Sequence, residues 1–86
     1  MSRYEKLQNR ILSGRADANI EFAELCALLT RLGFSERIRG SHNIYTRPDV
    51  TEIINLQPSN GKAKPYQVRQ VRGLIVKYRL GVTDVD

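Results

Sequence analysis

The sequence predicts an α+β fold in which helices cover one face of a three-stranded antiparallel sheet, in the order α-α-β-β-β-α. Apolar residues recur at helical spacing near the beginning and the end of the chain. Between Phe34 and Leu56, apolar and polar residues alternate instead, which is typical of strands. The connections between these strands are short. The strands are therefore antiparallel, because a parallel crossover needs about a dozen residues or more.

The length of 86 residues limits the chain to one domain with one core. We expect a single domain over residues 1–86. Within it, residues 1–19 form an added N-terminal helix and its connection, residues 20–80 form the core, and residues 81–86 are a loose tail.

Two helices are predicted before the first strand. In the first helix, Tyr4, Leu7 and Ile11 have the i, i+3, i+7 spacing of one apolar stripe, and Gly14 is the expected end. Asn19 is the predicted cap of the second helix. The apolar face of the second helix and the glycine that ends it are formed by Phe22, Leu25, Leu28, Leu29, Leu32 and Gly33.

Three short strands follow, separated by turn residues. The first is predicted from Phe34 to Arg39, and Gly40-Ser41 then form a tight turn or a bulge. The second strand runs from His42 to Thr46, and Pro48-Asp49 have the chemistry of a turn. The third strand, Val50 to Leu56, is rich in β-branched residues.

A polar loop with Asn60-Gly61 as its turn precedes the last helix. Pro65 suits the first helical position, where its missing N–H costs nothing, and Gly81 is the predicted end. The apolar stripe of this helix consists of Val68, Val71, Leu74, Ile75 and Tyr78.

The composition excludes several classes of protein. With 41% hydrophobic and 27% charged residues, the chain is too apolar to be disordered. It has no apolar run near the ~18 residues that a membrane helix needs, and its N-terminus does not resemble a signal peptide. Its single cysteine, Cys26, lies on an apolar helix face, which indicates a buried, unreactive thiol. We therefore expect a cytoplasmic protein with no membrane partner.

The net charge of +5 is unevenly distributed along the chain. All nine acidic residues lie outside Ile53–Thr83, a segment that carries six basic residues: Lys62, Lys64, Arg69, Arg72, Lys77 and Arg79. On a helical wheel, the three arginines share one flank of the last helix, and Lys77 lies on the other side. This asymmetry indicates a polyanionic partner, nucleic acid rather than membrane. The alternative is that these charges only solvate an exposed helix.

His42 is the only histidine, and it lies on a predicted strand between two arginines, Arg39 and Arg47. Nothing around it resembles a metal site or a phosphate-binding glycine loop, so we expect no metal and no cofactor. A nucleophilic pair with Cys26 would require that thiol to leave its apolar face. His42 is therefore either a structural strand residue or a lone proton-transfer group acting on RNA, which supplies its own 2′-hydroxyl nucleophile.

Three features together resemble the HicA family, the toxin ribonucleases of bacterial HicA–HicB toxin–antitoxin pairs. They are Leu32-Gly33-Phe34 at a helix end, Gly40-Ser41-His42 on a strand with Tyr45 three residues beyond, and a basic helix opening at Pro65. The resemblance covers roughly residues 20–80. Many members carry a second histidine directly after the first, where this chain has an asparagine.

The resemblance implies a fold similar to double-stranded-RNA-binding domains and metal-independent cleavage of mRNA. His42 would be the proton-transfer residue, and a HicB-like antitoxin would neutralise the toxin. The candidate RNA-binding residues are Arg39, Gly40, Ser41, Tyr45, Arg47, Lys62, Lys64, Arg69 and Arg72.

Several of these roles have alternatives. For Ser41 the alternative is completion of a turn, for Tyr45 it is core packing, and for Arg69 and Arg72 it is contact with an acidic antitoxin. For the protein as a whole, the alternatives are a non-catalytic RNA-binding module of the same fold and a protein-interaction domain that docks its basic helix on an acidic partner. The oligomeric state is left open.

Overall fold

A computed structural model describes residues 2–82 and confirms the predicted fold and element order. Met1 and residues 83–86, which include most of the predicted tail, lie outside the described residues. The elements are α1 (Arg3–Ser13), α2 (Phe22–Arg31), β1 (Ser35–Arg39), β2 (His42–Arg47), β3 (Val50–Leu56) and α3 (Pro65–Tyr78). The strands form one antiparallel sheet in the order β1-β2-β3.

The helices cover only one face of this sheet. Tyr45, Ile54 and Leu56 point toward the helices and are fully buried, whereas Ile53 and Asn55 alternate with them and are exposed. The buried side chains of the helices complete the core: Leu7, Ile11, Leu25, Leu28, Leu29, Val68, Val71, Leu74 and Ile75. The other face of the sheet is therefore free to bind a partner.

The Leu-Gly-Phe sequence at the end of α2 stops the helix. Gly33 adopts a left-handed conformation with φ of 94°, which favours glycine. Its N–H donates to the Thr30 carbonyl at 3.1 Å, and the Phe34 N–H donates to the Leu29 carbonyl at 3.0 Å. These two bonds define a Schellman motif, in which the buried Phe34 side chain fixes the entry into β1.

The start of α2 differs from the prediction. The cap is Glu21 rather than Asn19, and the Glu21 side chain accepts no hydrogen bond from the first turn of the helix. Asn19 belongs to the preceding turn, where its N–H donates to the Ala16 carbonyl and its own carbonyl accepts from Arg10. The backbone N–H and carbonyl of Asn19 therefore already have hydrogen-bond partners in the turn that precedes the helix.

The end of α3 also differs from the prediction. The helix stops at Tyr78, ahead of the expected Gly81, because Arg79 takes the left-handed conformation with φ of 53°. The Leu80 N–H then donates to the Ile75 carbonyl, and the Leu80 side chain is buried. Burial of this leucine accounts for the early turn.

The added helix α1 extends the core. It packs against α2 and α3 and buries Leu7 and Ile11. A reciprocal pair of bonds caps its start: the Glu5 N–H donates to Ser2 Oγ, and the Ser2 N–H donates to Glu5 Oε1. Among residues 2–82, neither α1 nor any other helix has the length and apolarity to cross a membrane.

An ion pair ties the connection after α1 to α3. The Arg72 guanidinium donates to both carboxylate oxygens of Asp17, at 2.8 and 3.2 Å, and to the Ile11 carbonyl at 3.1 Å. Both side chains are largely shielded from solvent. The hydrogen bond from Arg72 holds the pKa of Asp17 below its usual range. Arg72 therefore donates hydrogen bonds both to the Ile11 carbonyl near the end of α1 and to Asp17 in the loop that follows.

We predict that Arg72→Met lowers the free energy of unfolding by more than Arg69→Met does, because it removes charge-assisted hydrogen bonds and leaves Asp17 half-buried without them. Chemical denaturation measures this loss. Arg69→Met is the matched control: Arg69 lies on the same helix but is exposed, so we expect a change within about 0.5 kcal/mol. Equal effects of the two substitutions would contradict the assigned role of Arg72.

Candidate functional site

His42 begins β2 directly after a two-residue hairpin turn, Gly40-Ser41. Gly40 has a φ of 59°, which the first central residue of a type II′ turn requires. The turn pairs Arg39 with His42 across the two strands. A Cβ on Gly40 would meet no atom of the protein within 4 Å, so the conformation of the turn accounts for this glycine, and its contact with RNA stays a prediction.

His42 points to the face of the sheet that the helices leave uncovered. It is half-buried, and its Nδ1 lies 2.9 Å from Asn55 Oδ1 on β3. An amide oxygen only accepts, so Nδ1 carries the hydrogen in this bond. The lone pair of the neutral ring is therefore on Nε2. Asn55 thus fixes both the orientation and the tautomer of His42.

A groove of about 300 Å³ lies beside His42, between the outer part of β3 and the first turns of α3. Its walls consist of His42, Ile53, Asn55, Gln57, Tyr66, Gln67 and Gln70. One wall is joined to the hairpin turn, because Gln57 Nε2 donates to Ser41 Oγ at 3.3 Å. Ser41 therefore has a structural contact in addition to its place in the turn.

Two arginines flank the histidine on the same face of the sheet. Arg39 is directly opposite His42, and Arg37 is opposite Ile44, the next residue of β2 on this face. Cross-strand neighbours have Cα atoms roughly 4.5–5.5 Å apart and side chains on the same face. Both arginines are exposed, so His42 lies next to two solvent-accessible positive charges.

The structure places Tyr45 in the core, which is the packing alternative and not the stacking one. Its side chain has no exposed surface, and its hydroxyl donates to Glu36 Oε2. Burial raises the pKa of the Tyr45 phenol well above its usual range, which keeps the hydroxyl protonated. Because side chains alternate along a strand, Tyr45 and His42 point to opposite faces.

Arg47 has a structural role at the end of α2, and its binding of RNA stays a prediction. Its Nη1 donates to the Leu32 carbonyl at 2.7 Å, and its Nε lies 2.8 Å from Asp49 Oδ1. A guanidinium at the C-terminus of a helix also interacts favourably with the helix dipole. A bulge between Tyr45 and Arg47 in the β2–β3 pairing accompanies this placement.

The remaining predicted cations are not part of the groove. Arg72 binds Asp17, and the positive charge of Arg69 also contributes to the lowered pKa of that carboxyl, so both arginines lie on the α1 side of α3. Their predicted separation from Lys77 is confirmed, because Lys77 contacts Glu52 on β3 at 2.7 Å. Arg72 has a structural partner in Asp17, whereas Arg69 is exposed, and contact of either arginine with RNA or an antitoxin stays a prediction.

The loop before α3 places Lys62 and Lys64 at a separate surface. Lys62 Nζ contacts Glu21 Oε1 at 3.0 Å, and the loop is fixed by a bond from the Phe22 N–H to the Gly61 carbonyl. Lys64 caps α3 through its own N–H, which donates to Gln67 Oε1. The two lysines line a second concave surface together with Ser59, Asn60 and Pro65, apart from His42.

Cys26 and His42 lie on opposite sides of the sheet. The thiol is half-buried on the helix side near Tyr45, and burial raises its pKa. This placement excludes a Cys–His nucleophilic pair in this structure. Within residues 2–82, no group of three or more His, Cys, Asp or Glu side chains is arranged to hold a metal ion.

Sequence reasoning missed most of the groove. The pairing of Arg39 with His42 follows from a two-residue turn, and alternation then places Arg37 on the same face, so these two positions were predictable. The position of Asn55 beside His42 depends on the register of β3 against β2. The contributions of Tyr66 and Gln70 depend on how α3 packs beside β3. No local pattern in the sequence contains that information.

The fold and the site define a small α+β domain with a histidine on the open face of its sheet. The model of a family described as "HicA toxin of bacterial toxin-antitoxin" matches residues 22–77, which is more than half of the chain. The chain therefore belongs to the HicA toxin family, as the sequence motifs predicted, and is the toxin of a toxin–antitoxin system. The comparisons with curated proteins and with solved structures gave no match.

We predict that Asn55→Ala allows both neutral tautomers of the His42 ring, because it removes the acceptor that holds the hydrogen on Nδ1. In ¹⁵N NMR spectra of the neutral ring, the wild type should show the Nδ1–H tautomer, and the variant a mixture of both forms. Asn43→Ala is the control, since Asn43 contacts Glu36 on the helix side and should leave the His42 signals unchanged. An unchanged tautomer in Asn55→Ala would contradict this assignment.

Proposed function

We propose that this toxin is a metal-independent endoribonuclease that cleaves mRNA, with His42 as the proton-transfer residue. The observation that carries the proposal is the bond from His42 Nδ1 to Asn55, which directs the basic Nε2 away from its partner on the open face of the sheet. Membership of the HicA toxin family supports the same function.

The chemistry requires only groups that RNA and this face supply. His42 Nε2 removes the proton of a 2′-hydroxyl, and the 2′-oxygen then forms a bond to the adjacent phosphorus. The bond from phosphorus to the 5′-oxygen breaks, and that oxygen takes a proton from the imidazolium or from water. The products are a 2′,3′-cyclic phosphate and a 5′-hydroxyl end. A positioned histidine typically contributes about 10²–10⁴-fold to such a step.

The arginines of β1 supply the electrostatic part of this mechanism. Negative charge develops on the phosphate oxygens as the 2′-oxygen attacks, and Arg39 lies directly across from His42. Arg37 extends the positive surface along the strand, where a neighbouring phosphate would lie. Lys62, Lys64 and Arg69 are candidate contacts for more distant parts of the RNA strand.

We also propose how the toxin is controlled. As a toxin of a toxin–antitoxin system, the protein has an antitoxin partner. A HicB-like antitoxin that covers the open face of the sheet would block His42 and neutralise Arg37 and Arg39 with acidic groups.

We predict that His42→Ala lowers cleavage by about 10²–10⁴-fold, because it removes the base without removing core packing. The assay uses a defined single-stranded RNA with EDTA present and maps the fragment ends. Wild-type protein should produce 2′,3′-cyclic phosphate and 5′-hydroxyl ends. Thermal unfolding of the variant should remain close to that of the wild type, since His42 is half-buried and makes one side-chain bond.

The matched control is Thr46→Ala, on the same strand and the same face but about 13 Å from His42 along the chain. This control should cleave like the wild type. If both the wild type and His42→Ala bind RNA and neither cleaves it, the protein is an RNA-binding module. If His42→Ala unfolds the protein, the residue is structural.

A further inference from the structure

The groove beside His42 has a chemical character that the proposed cleavage does not require. Its lining contains no lysine, arginine or carboxylate, although positive charges lie nearby on β1. Four of its seven lining residues are amides: Asn55, Gln57, Gln67 and Gln70. A phosphate-binding surface would need positive charge, so a neutral groove of this kind fits a different part of the RNA.

Tyr66 supplies an aromatic surface at this groove. Its side chain is 56% exposed at the second position of α3, and nothing in the core requires a tyrosine there. Gln70 follows one helical turn later, so both side chains extend from the same face of α3. Exposed aromatic rings next to amides are the usual means by which proteins hold unstacked RNA bases.

The buried side chain of Gln67 independently indicates that this groove binds a ligand. Its side chain is fully buried at the groove, and its Oε1 accepts from the Lys64 N–H. Its Nε2 is buried as well and has no hydrogen-bond partner within the described part of the chain. An unpaired buried donor is costly, and a ring nitrogen or carbonyl of a nucleobase is an acceptor that would satisfy it.

We propose that this groove is a nucleobase-binding subsite, in which one RNA base stacks on Tyr66 and is read by the amides of Gln67 and Gln70. The inference rests on the proposed function in taking RNA as the ligand. Since the groove begins at His42, the bound base belongs to a nucleotide next to the cleaved bond. The subsite therefore determines where the toxin cleaves.

The test measures binding without cleavage. Labelled RNA hexamers with 2′-fluoro groups lack the nucleophile, and an abasic residue is moved through each position in turn. We predict that one abasic position lowers wild-type affinity by about tenfold, which is the usual scale for a stacked base. Tyr66→Ala should lower affinity for the intact hexamer by a similar factor. The two changes combined should cost no more than either one alone, because both remove the same contact.

Three further variants test whether the effect is specific to the ring and the groove. Tyr66→Phe retains the ring and should bind like the wild type, and Val76→Ala is the control for an exposed α3 residue outside the groove. Gln70→Ala should change the preference among hexamers of A, C, G and U by severalfold.

Three results would each overturn the subsite. The affinity could be the same for every abasic position, or Tyr66→Ala could bind the intact hexamer like the wild type. The third is that the losses of affinity from the abasic position and from Tyr66→Ala multiply as independent effects. Weaker binding by Tyr66→Phe would also overturn it, because the hydroxyl would then be the contact. Absence of hexamer binding by the wild type has the same consequence. If the abasic position and Tyr66→Ala lower affinity by the same, non-additive amount in a protein that does not cleave RNA, the subsite is supported and the nuclease function is rejected.

Discussion

The burial of Tyr45 on the central strand is the constraint on which the site depends. Its ring occupies the core between sheet and helices, and its hydroxyl is held by Glu36 across the β1–β2 pair. A slip of one residue in this pairing would turn the tyrosine to solvent and the histidine into the core. Core packing therefore places His42, three residues earlier, on the opposite face of the sheet.

Four of the arginines serve two different purposes. Arg47 and Arg72 have much of their side chain shielded and use it to bind backbone carbonyls and acids at helix ends. Arg37 and Arg39 are exposed on β1 and lie beside His42. The positive net charge is therefore only partly available to a polyanion, and the part that lies closest to the histidine comes from β1 rather than from the basic half of the chain.

The fold was predictable because its signals are local. The helix stripes, the alternation along the strands and the turn at Gly40-Ser41 each depend on residues close in sequence. The placement of His42 on a strand was predicted for the same reason. The role of Asn55 was not predicted, because it depends on the register of β3 against β2, and the role of Tyr66 depends on the packing of α3 beside β3. The ion pair of Arg72 was missed as well, since its partner Asp17 lies 55 residues away along the chain.

The proposed mechanism requires that RNA supplies the nucleophile and that His42 moves its proton. The most direct test replaces the single 2′-hydroxyl next to a mapped cleavage site with hydrogen and leaves the rest of the RNA unchanged. We expect cleavage at this bond to disappear while other sites in the same molecule are cut at their usual rates. Continued cleavage at the deoxy-substituted bond would show that the nucleophile comes from elsewhere and would contradict the mechanism.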